Sequence, residues 1–363
     1  MRENVPGEFQ VIEYGIKSFW GDWRSMDYGD PNSPRMMELR QEFQLEKVVE
    51  GAESEFEGFL ALKRWVRSRW NHGWCRTDAK DGLDILREAA QGKQFQCGHF
   101  AITYVDCARA LGWPARVTGI SIERCEYPRD YQIGNVGHAI VEIWSNELEK
   151  WVVMDPDLNV YYVHDGVPLN ALEIRDAWLS GHADHVEMVQ DEPTFVMPSG
   201  QYTVDLLQEE APYRQWSEAV VRLMLERFAR HRAIDYYARV TANGWEYVDG
   251  RALPTFVSHF GPKGVKPTAN SDDLYWSLNM VRLVAKPTWD EQGSRLAITL
   301  EHCMPWFHHY EARIDREQWQ PVEASFVWPM REGINTLECR AVNARNRPGI
   351  VSSMVVAHAK HQL

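Results

Sequence analysis

The chain has 363 residues, with Lys+Arg 39 against Asp+Glu 52 for a net charge of −13, 44% hydrophobic and 25% charged residues, and 16 tryptophans. At roughly 100–200 residues per domain this length predicts two domains, and the ordinary globular balance excludes a disordered chain, a collagen-like fibre and a coiled coil. The acidic surplus argues against nucleic acid or an anionic bilayer as partners, and no apolar run is long enough for a conventional membrane span.

The opening Met1-Arg2-Glu3-Asn4-Val5-Pro6-Gly7 has no charged stretch followed by an apolar one. No signal peptide is visible, so the expectation is a cytoplasmic protein or an exported one whose signal has been removed. Residues 1–53 look irregular until a helical stretch begins near Met36. Phe56, Phe59, Leu60, Leu62 and Trp65 then recur at helical spacings, which predicts a helix from Ser54 to Arg69. Ser54 with Glu57 three residues on is a capping-box pattern. Trp70-Asn71-His72-Gly73-Trp74-Cys75 breaks the period, and a further helix is expected from Asp84 to Gln91, closed by Gly92.

Gln96-Cys97-Gly98-His99-Phe100 opens another helix that runs to Ala110 and stops at Gly112-Trp113-Pro114. From Ala115 the period changes to strands at 116–122, 138–144 and 151–154, the last two joined by a polar hairpin loop over 145–150. Helices followed by antiparallel strands make an α+β order rather than alternating βαβ. Helices return at 169–179 and 214–232, then strands at 235–241 and 245–248. Residues 263–272 read as a linker. Short strands at 277–285, 295–301, 309–313, 325–328, 336–343 and 352–357 predict a β-sandwich of immunoglobulin or fibronectin type. The expected organisation is therefore 1–262, with a core at 55–165, and a sandwich at 273–363.

Six cysteines, at 75, 97, 107, 125, 303 and 339, form no CxxC pair, so neither a zinc ribbon nor a thioredoxin-type motif is offered. Cys303 and Cys339 leave two readings open, a bridge between sheets or two buried thiols. Cys97 at a helix N-terminus meets unsatisfied N–H groups and a dipole that favour a thiolate. His138 starts a strand and Asp155 ends the next, so a hairpin would bring the two to neighbouring strand ends, where an imidazole gains a carboxylate to fix its tautomer.

Cys97-Gly98-His99-Phe100-Ala101, with Arg109-Ala110-Leu111-Gly112-Trp113-Pro114-Ala115-Arg116-Val117 after it, resembles the cysteine segment of the transglutaminase-like superfamily. Gly137-His138-Ala139-Ile140-Val141-Glu142 resembles its histidine strand and Trp151-Val152-Val153-Met154-Asp155-Pro156 its aspartate strand. The resemblance implies a papain-related α+β core over about 55–165, with Cys97 as nucleophile, His138 as base and Asp155 as orienting group. Family cores usually carry Ser or Thr after Asp-Pro, whereas here Asp157 follows. Animal transglutaminases place Trp directly after the cysteine, where this chain has Gly98. This puts it nearer the bacterial and peptide-N-glycanase-like branches and does not support calcium-dependent crosslinking.

The expected function is a thiol protease, amidase or transglutaminase-type enzyme acting on a protein, peptide or other amide-containing substrate through an acyl-thioester. The alternative is an inactive scaffold of the same fold that binds a protein or glycan. An oxyanion hole would combine the Cys97 N–H with a donor from Trp70, Trp74, Gln91 or Gln96. Asp157 rivals Asp155 as orienting group, and Glu142 with Asp155 would be the carboxylates of a sugar-processing enzyme. His182-Ala183-Asp184-His185 and His308-His309 lack a third ligand at metal spacing, so neither metal nor cofactor is expected.

Overall fold

The computed structural model describes residues 8–73, 75–121, 137–190, 225, 228, 233–237, 244–248, 265–290 and 293–359. Cys125, Trp74 and, except for Leu225 and Phe228, the expected helix at 214–232 lie outside them. The elements in chain order begin with strand β1 (Glu8–Gly15) and helices α1 (Pro34–Glu42), α2 (Leu45–Val48), α3 (Glu55–Arg67), α4 (Gly82–Ala90) and α5 (Cys97–Ala110). Strands β2 (Ala115–Ser121), β3 (Gly137–Ser145), β4 (Lys150–Met154), β5 (Val160–His164) and β6 (Val167–Pro168) precede helix α6 (Ala171–Leu179). β7 (Glu187–Gln190), β8 (Ala233–Tyr237), β9 (Gly244–Val248) and β10 (Val265–Thr268) complete one group. The rest are β11 (Val281–Asp290), β12 (Gly293–His302), β13 (Phe307–Ile314), β14 (Gln320–Val322), β15 (Ser325–Pro329), β16 (Gly333–Asn343) and β17 (Ser352–Ala359).

These elements fall into two compact units, Arg24–Tyr275 and Met1–Trp23 joined with Trp276–Leu363. In the first unit a six-stranded sheet runs β10-β9-β8-β2-β3-β4, antiparallel except for the β10–β9 pair, beside a small β6-β5-β7 sheet. Phe59, Leu62 and Val66 of α3, Leu83 and Leu86 of α4, and Phe100, Tyr104 and Ala108 of α5 share one core with Val117, Val141, Ile143, Val152 and Met154 of the sheet. The arrangement is α+β, helices packed on an antiparallel sheet. The second unit is all-β. Its five-stranded sheet β1-β17-β16-β13-β14 and three-stranded sheet β11-β12-β15 bury Leu283, Ile298 and Trp328 against Leu337, Cys339 and Met354.

The helix signals correspond to real caps with small shifts. Ser54 Oγ accepts from Glu57 N at 3.1 Å, but Glu57 reaches Glu53 N rather than closing a box on Ser54. The helix expected from Asp84 starts earlier, at Gly82, because Asp81 caps it through Asp84 N. Gly92, at φ 90°, ends it in the left-handed region that suits glycine. The stretch read as irregular contains β1, whose partner β17 lies at the far end of the chain. Part of the segment read as a linker is β10, paired parallel to β9. Cys303 and Cys339 are buried free thiols, not a bridge, and burial pushes Cys339 up to about 12.

Glu142, the other carboxylate of the sugar-processing reading, is committed to structure. Its Oε2 accepts from Arg116 Nε and Nη2 at 2.9 and 2.7 Å, and its Oε1 from Ala171 N and the Tyr275 hydroxyl at 2.8 and 2.9 Å. Arg116 also lies over the Trp151 ring at 4.1 Å, and both charged groups are fully buried. Removing one partner strands the other in the core. Arg116→Met is therefore expected to destabilise the first unit by about 3–5 kcal/mol, whereas Arg116→Met/Glu142→Leu recovers most of the loss. Urea titration followed by tryptophan fluorescence checks this, and equal losses in the single and double variants would contradict it.

Candidate active site

Cys97 is the first residue of α5, with Gln96 as N-cap, and is 8% exposed. Gln96 makes no side-chain cap bond, and its carbonyl accepts from His99 N at 3.0 Å, which leaves the Cys97 N–H at the positive end of the helix dipole. His138 is the second residue of β3, opposite Ile120 of β2. The β3–β4 register ends at Val141↔Met154, and one further step sets Asp155 opposite Ile140, two residues from His138 on the same side. His138 Nε2 and Asp155 Oδ2 are 2.7 Å apart. A carboxylate can only accept, so Nε2 carries the proton and Nδ1 is the nitrogen that Asp155 leaves available. The Cys97 sulfur lies within 4.8 Å of a nitrogen of the same ring.

The turn after β4 holds Asp155 in place. Its Oδ1 accepts from Asp157 N and Leu158 N at 3.1 and 2.9 Å, while its own backbone bridges Val160. One oxygen thus fixes the loop and the other fixes the imidazole. Burial works against a charged ring at His138, but the Asp155 carboxylate and the Cys97 sulfur outweigh it and push the imidazole up to about 10.

A second buried pair lies beside the first. His72 Nδ1 is 2.7 and 2.8 Å from the two oxygens of Asp157. Asp157 is therefore hydrogen-bonded to His72, and the carboxylate hydrogen-bonded to His138 is that of Asp155. Asp157 nevertheless faces the centre: one donor atom each from Cys97, His138 and Asp157 lie within 4.8 Å of one another. Burial opposes charge on Asp157, yet His72, His138 and Arg67 hold its carboxyl below the usual range. Burial brings Arg67 down to about 10, against the pull of Asp157 and Asp155. Arg67 Nη1 donates to Trp70 O at 2.7 Å, with the guanidinium 5.3 Å from the Phe100 ring.

His72 reaches this place because residues 72–73 run alongside 94–95. His72 bridges Phe95, Gly73 N donates to Phe95 O at 3.0 Å, and a Cβ at Gly73 would sit 2.5 Å from Gln94 Cβ. Only glycine admits so close an approach. No signal in the sequence tied His72 to the site; the unusual acid at Asp157 was the nearest hint.

The other expected site residues are spread around this centre. Trp70 is buried, stacked on Phe100 at 4.3 Å, and its indole N–H has no hydrogen-bond partner among the described residues. Gln96 is half-buried next to Cys97, and Gln91 is exposed at the end of α4. Burial holds His99 neutral, at about 4, against the Phe95 ring. Cys107 is buried in the helix core, where burial raises its thiol far above the ordinary value. His182 and His185 are exposed, with rings stacked 5.5 Å apart.

Residues 44–156 match the family model described as the Transglutaminase-like superfamily, and this stretch is a transglutaminase-like domain. A candidate cysteine protease from Cytophaga hutchinsonii is similar at 17% identity, over 45% of this chain and 50% of that one, with a TM-score of 0.28. The chain thus spans about half the length of that protein. Red sea bream transglutaminase is similar at 13% identity over 97% of this chain and 78% of its own, with a TM-score of 0.27. No curated protein matches the chain.

The His138 shift fixes a pH dependence. A histidine raised from 6.5 to about 10 stabilises the fold fully below 6.5 and loses that contribution as pH rises toward about 10. Asp155→Asn removes the principal cause, so the His138 midpoint falls and stability changes less across this window. Histidine-selective NMR with thermal melts over the alkaline range checks it. An unchanged His138 midpoint in Asp155→Asn would contradict the assignment.

Proposed function

We propose that the protein is a cysteine-nucleophile acyl-transfer enzyme acting on an amide or peptide carbonyl of a protein or peptide substrate. The observation that carries this reading is one imidazole, His138, hydrogen-bonded to Asp155 at 2.7 Å and set within 4.8 Å of the sulfur of Cys97 at a helix N-terminus. The match of residues 44–156 to a superfamily of thiol enzymes supports it.

The proposed sequence of events follows from those positions. The Cys97 thiolate attacks the carbonyl carbon, while its proton resides on His138. The oxyanion is met by the Cys97 N–H, with Trp70 or Gln96 as side-chain donor in preference to the exposed Gln91. His138 then delivers its proton to the leaving amine as the C–N bond breaks, leaving an acyl-thioester on Cys97. Water, activated by neutral His138, releases the acid; an amine in its place gives transamidation. Hydrolysis is preferred because no acyl-acceptor site is evident among the described residues. Asp155 holds the ring tautomer throughout.

Iodoacetamide labelling with peptide mapping tests the nucleophile, since Cys97 should label faster than Cys75 or Cys107 near neutral pH. On a peptide panel Cys97→Ala should abolish turnover, and His138→Ala should lower kcat by roughly 10²–10⁴-fold. Equal labelling of the three thiols, together with wild-type turnover in Cys97→Ala, would overturn the proposal.

A further inference from the structure

We propose that Cys97, His138 and Asp157 also form a binding site for a thiophilic divalent cation of the Zn²⁺ type, which silences the nucleophile while it is bound. The donor atoms of these three buried residues lie within 4.8 Å of one another. A tetrahedral zinc ion takes sulfur at about 2.3 Å and nitrogen or oxygen at about 2.0–2.2 Å, so its donors stand roughly 3.3–3.6 Å apart. Side-chain adjustments of about 1 Å close that gap. Thiolate, imidazole and carboxylate are the donors this class of ion selects.

The partners behind the donors are those a metal site requires. His138 donates its Nε2–H to Asp155, which leaves the Nδ1 lone pair for an ion in a carboxylate–histidine–metal relay. Asp157 is steadied by His72 at 2.7 and 2.8 Å. The acid that replaces the usual Ser or Thr after Asp-Pro is thus the third donor, and three protein donors leave a fourth position for water. Charge also closes. The thiolate–imidazolium pair loses one proton to solvent as the dication enters, and the carboxylates of Asp155 and Asp157 stand against the guanidinium of Arg67. No electron moves. The sequence offered no such site because its donors come from a helix start, a strand start and a turn.

The test uses the full chain in a Cys75→Ser background titrated with CoCl₂ near neutral pH. Thiolate-to-cobalt charge-transfer absorption is expected in the parent protein and absent in Cys97→Ala. Asp157→Asn should weaken cobalt binding roughly tenfold or more, and Asp157→Glu should restore part of it. No charge-transfer band, a band that survives Cys97→Ala, or unchanged affinity in Asp157→Asn would each overturn the proposal. If Asp157→Asn does not fold, Zn²⁺ protection of Cys97 from iodoacetamide, reversed by EDTA, decides instead, and absence of protection overturns it. The cobalt spectrum needs no turnover, so it stands or falls separately from the acyl-transfer reading.

Discussion

A histidine removed from water keeps a proton only if negative charge lies against it, and the core of the Arg24–Tyr275 unit is arranged around that requirement. Asp155 meets it from the end of β4, at 2.7 Å from His138 Nε2. The placement depends on strand register, because a slip of one residue between β3 and β4 would send one of the two side chains to the opposite side. It also depends on the turn after β4, where the second carboxylate oxygen holds the N–H groups of Asp157 and Leu158. Sheet pairing, turn geometry and the electrostatics of the centre are therefore one constraint seen at three scales.

The same problem is solved again within a few residues. Asp157 is fully buried and stands against His72, with Arg67 adding positive charge from the end of α3. Further along β3, Glu142 is balanced by Arg116, the Tyr275 hydroxyl and a backbone N–H. Strand β3 thus carries two buried ionisable groups, His138 and Glu142, on the same side. An unpaired charge at either would cost several kcal/mol, so each arrives with its partners on neighbouring elements. This is why the first unit tolerates so much buried polarity among apolar helices.

Much of the local structure was legible. Helical spacing and the Ser54 cap located α3, Gly92 marked the end of α4, and alternation after Ala115 gave the strands of the central hairpin. What escaped was non-local. β1 is a strand because β17 pairs with it, and its Val11, Ile12 and Tyr14 are exposed, so no inward apolar face announced it. β10 contains Pro267 and lies among polar residues, which reads as a loop until β9 is beside it. The tryptophan surplus resolved as packing at several positions, including Trp144 against Trp151 across β3 and β4 and Trp113 against Phe59.

For the candidate site the division is similar. Cys97, His138 and Asp155 could be named from their segments, because a helix start, a strand start and a strand end are local features with recognisable residues around them. The chain by itself determined those elements and their order, through periodicity, caps and turns that act over a few residues. Only the tertiary structure decided that Asp155 rather than Asp157 stands on His138, that His72 enters the same centre, and that Glu142 belongs to the scaffold. Those assignments rest on strand register and on the close approach of Gly73 to Gln94. Distances of a few ångströms between residues far apart in sequence leave no periodic trace in it.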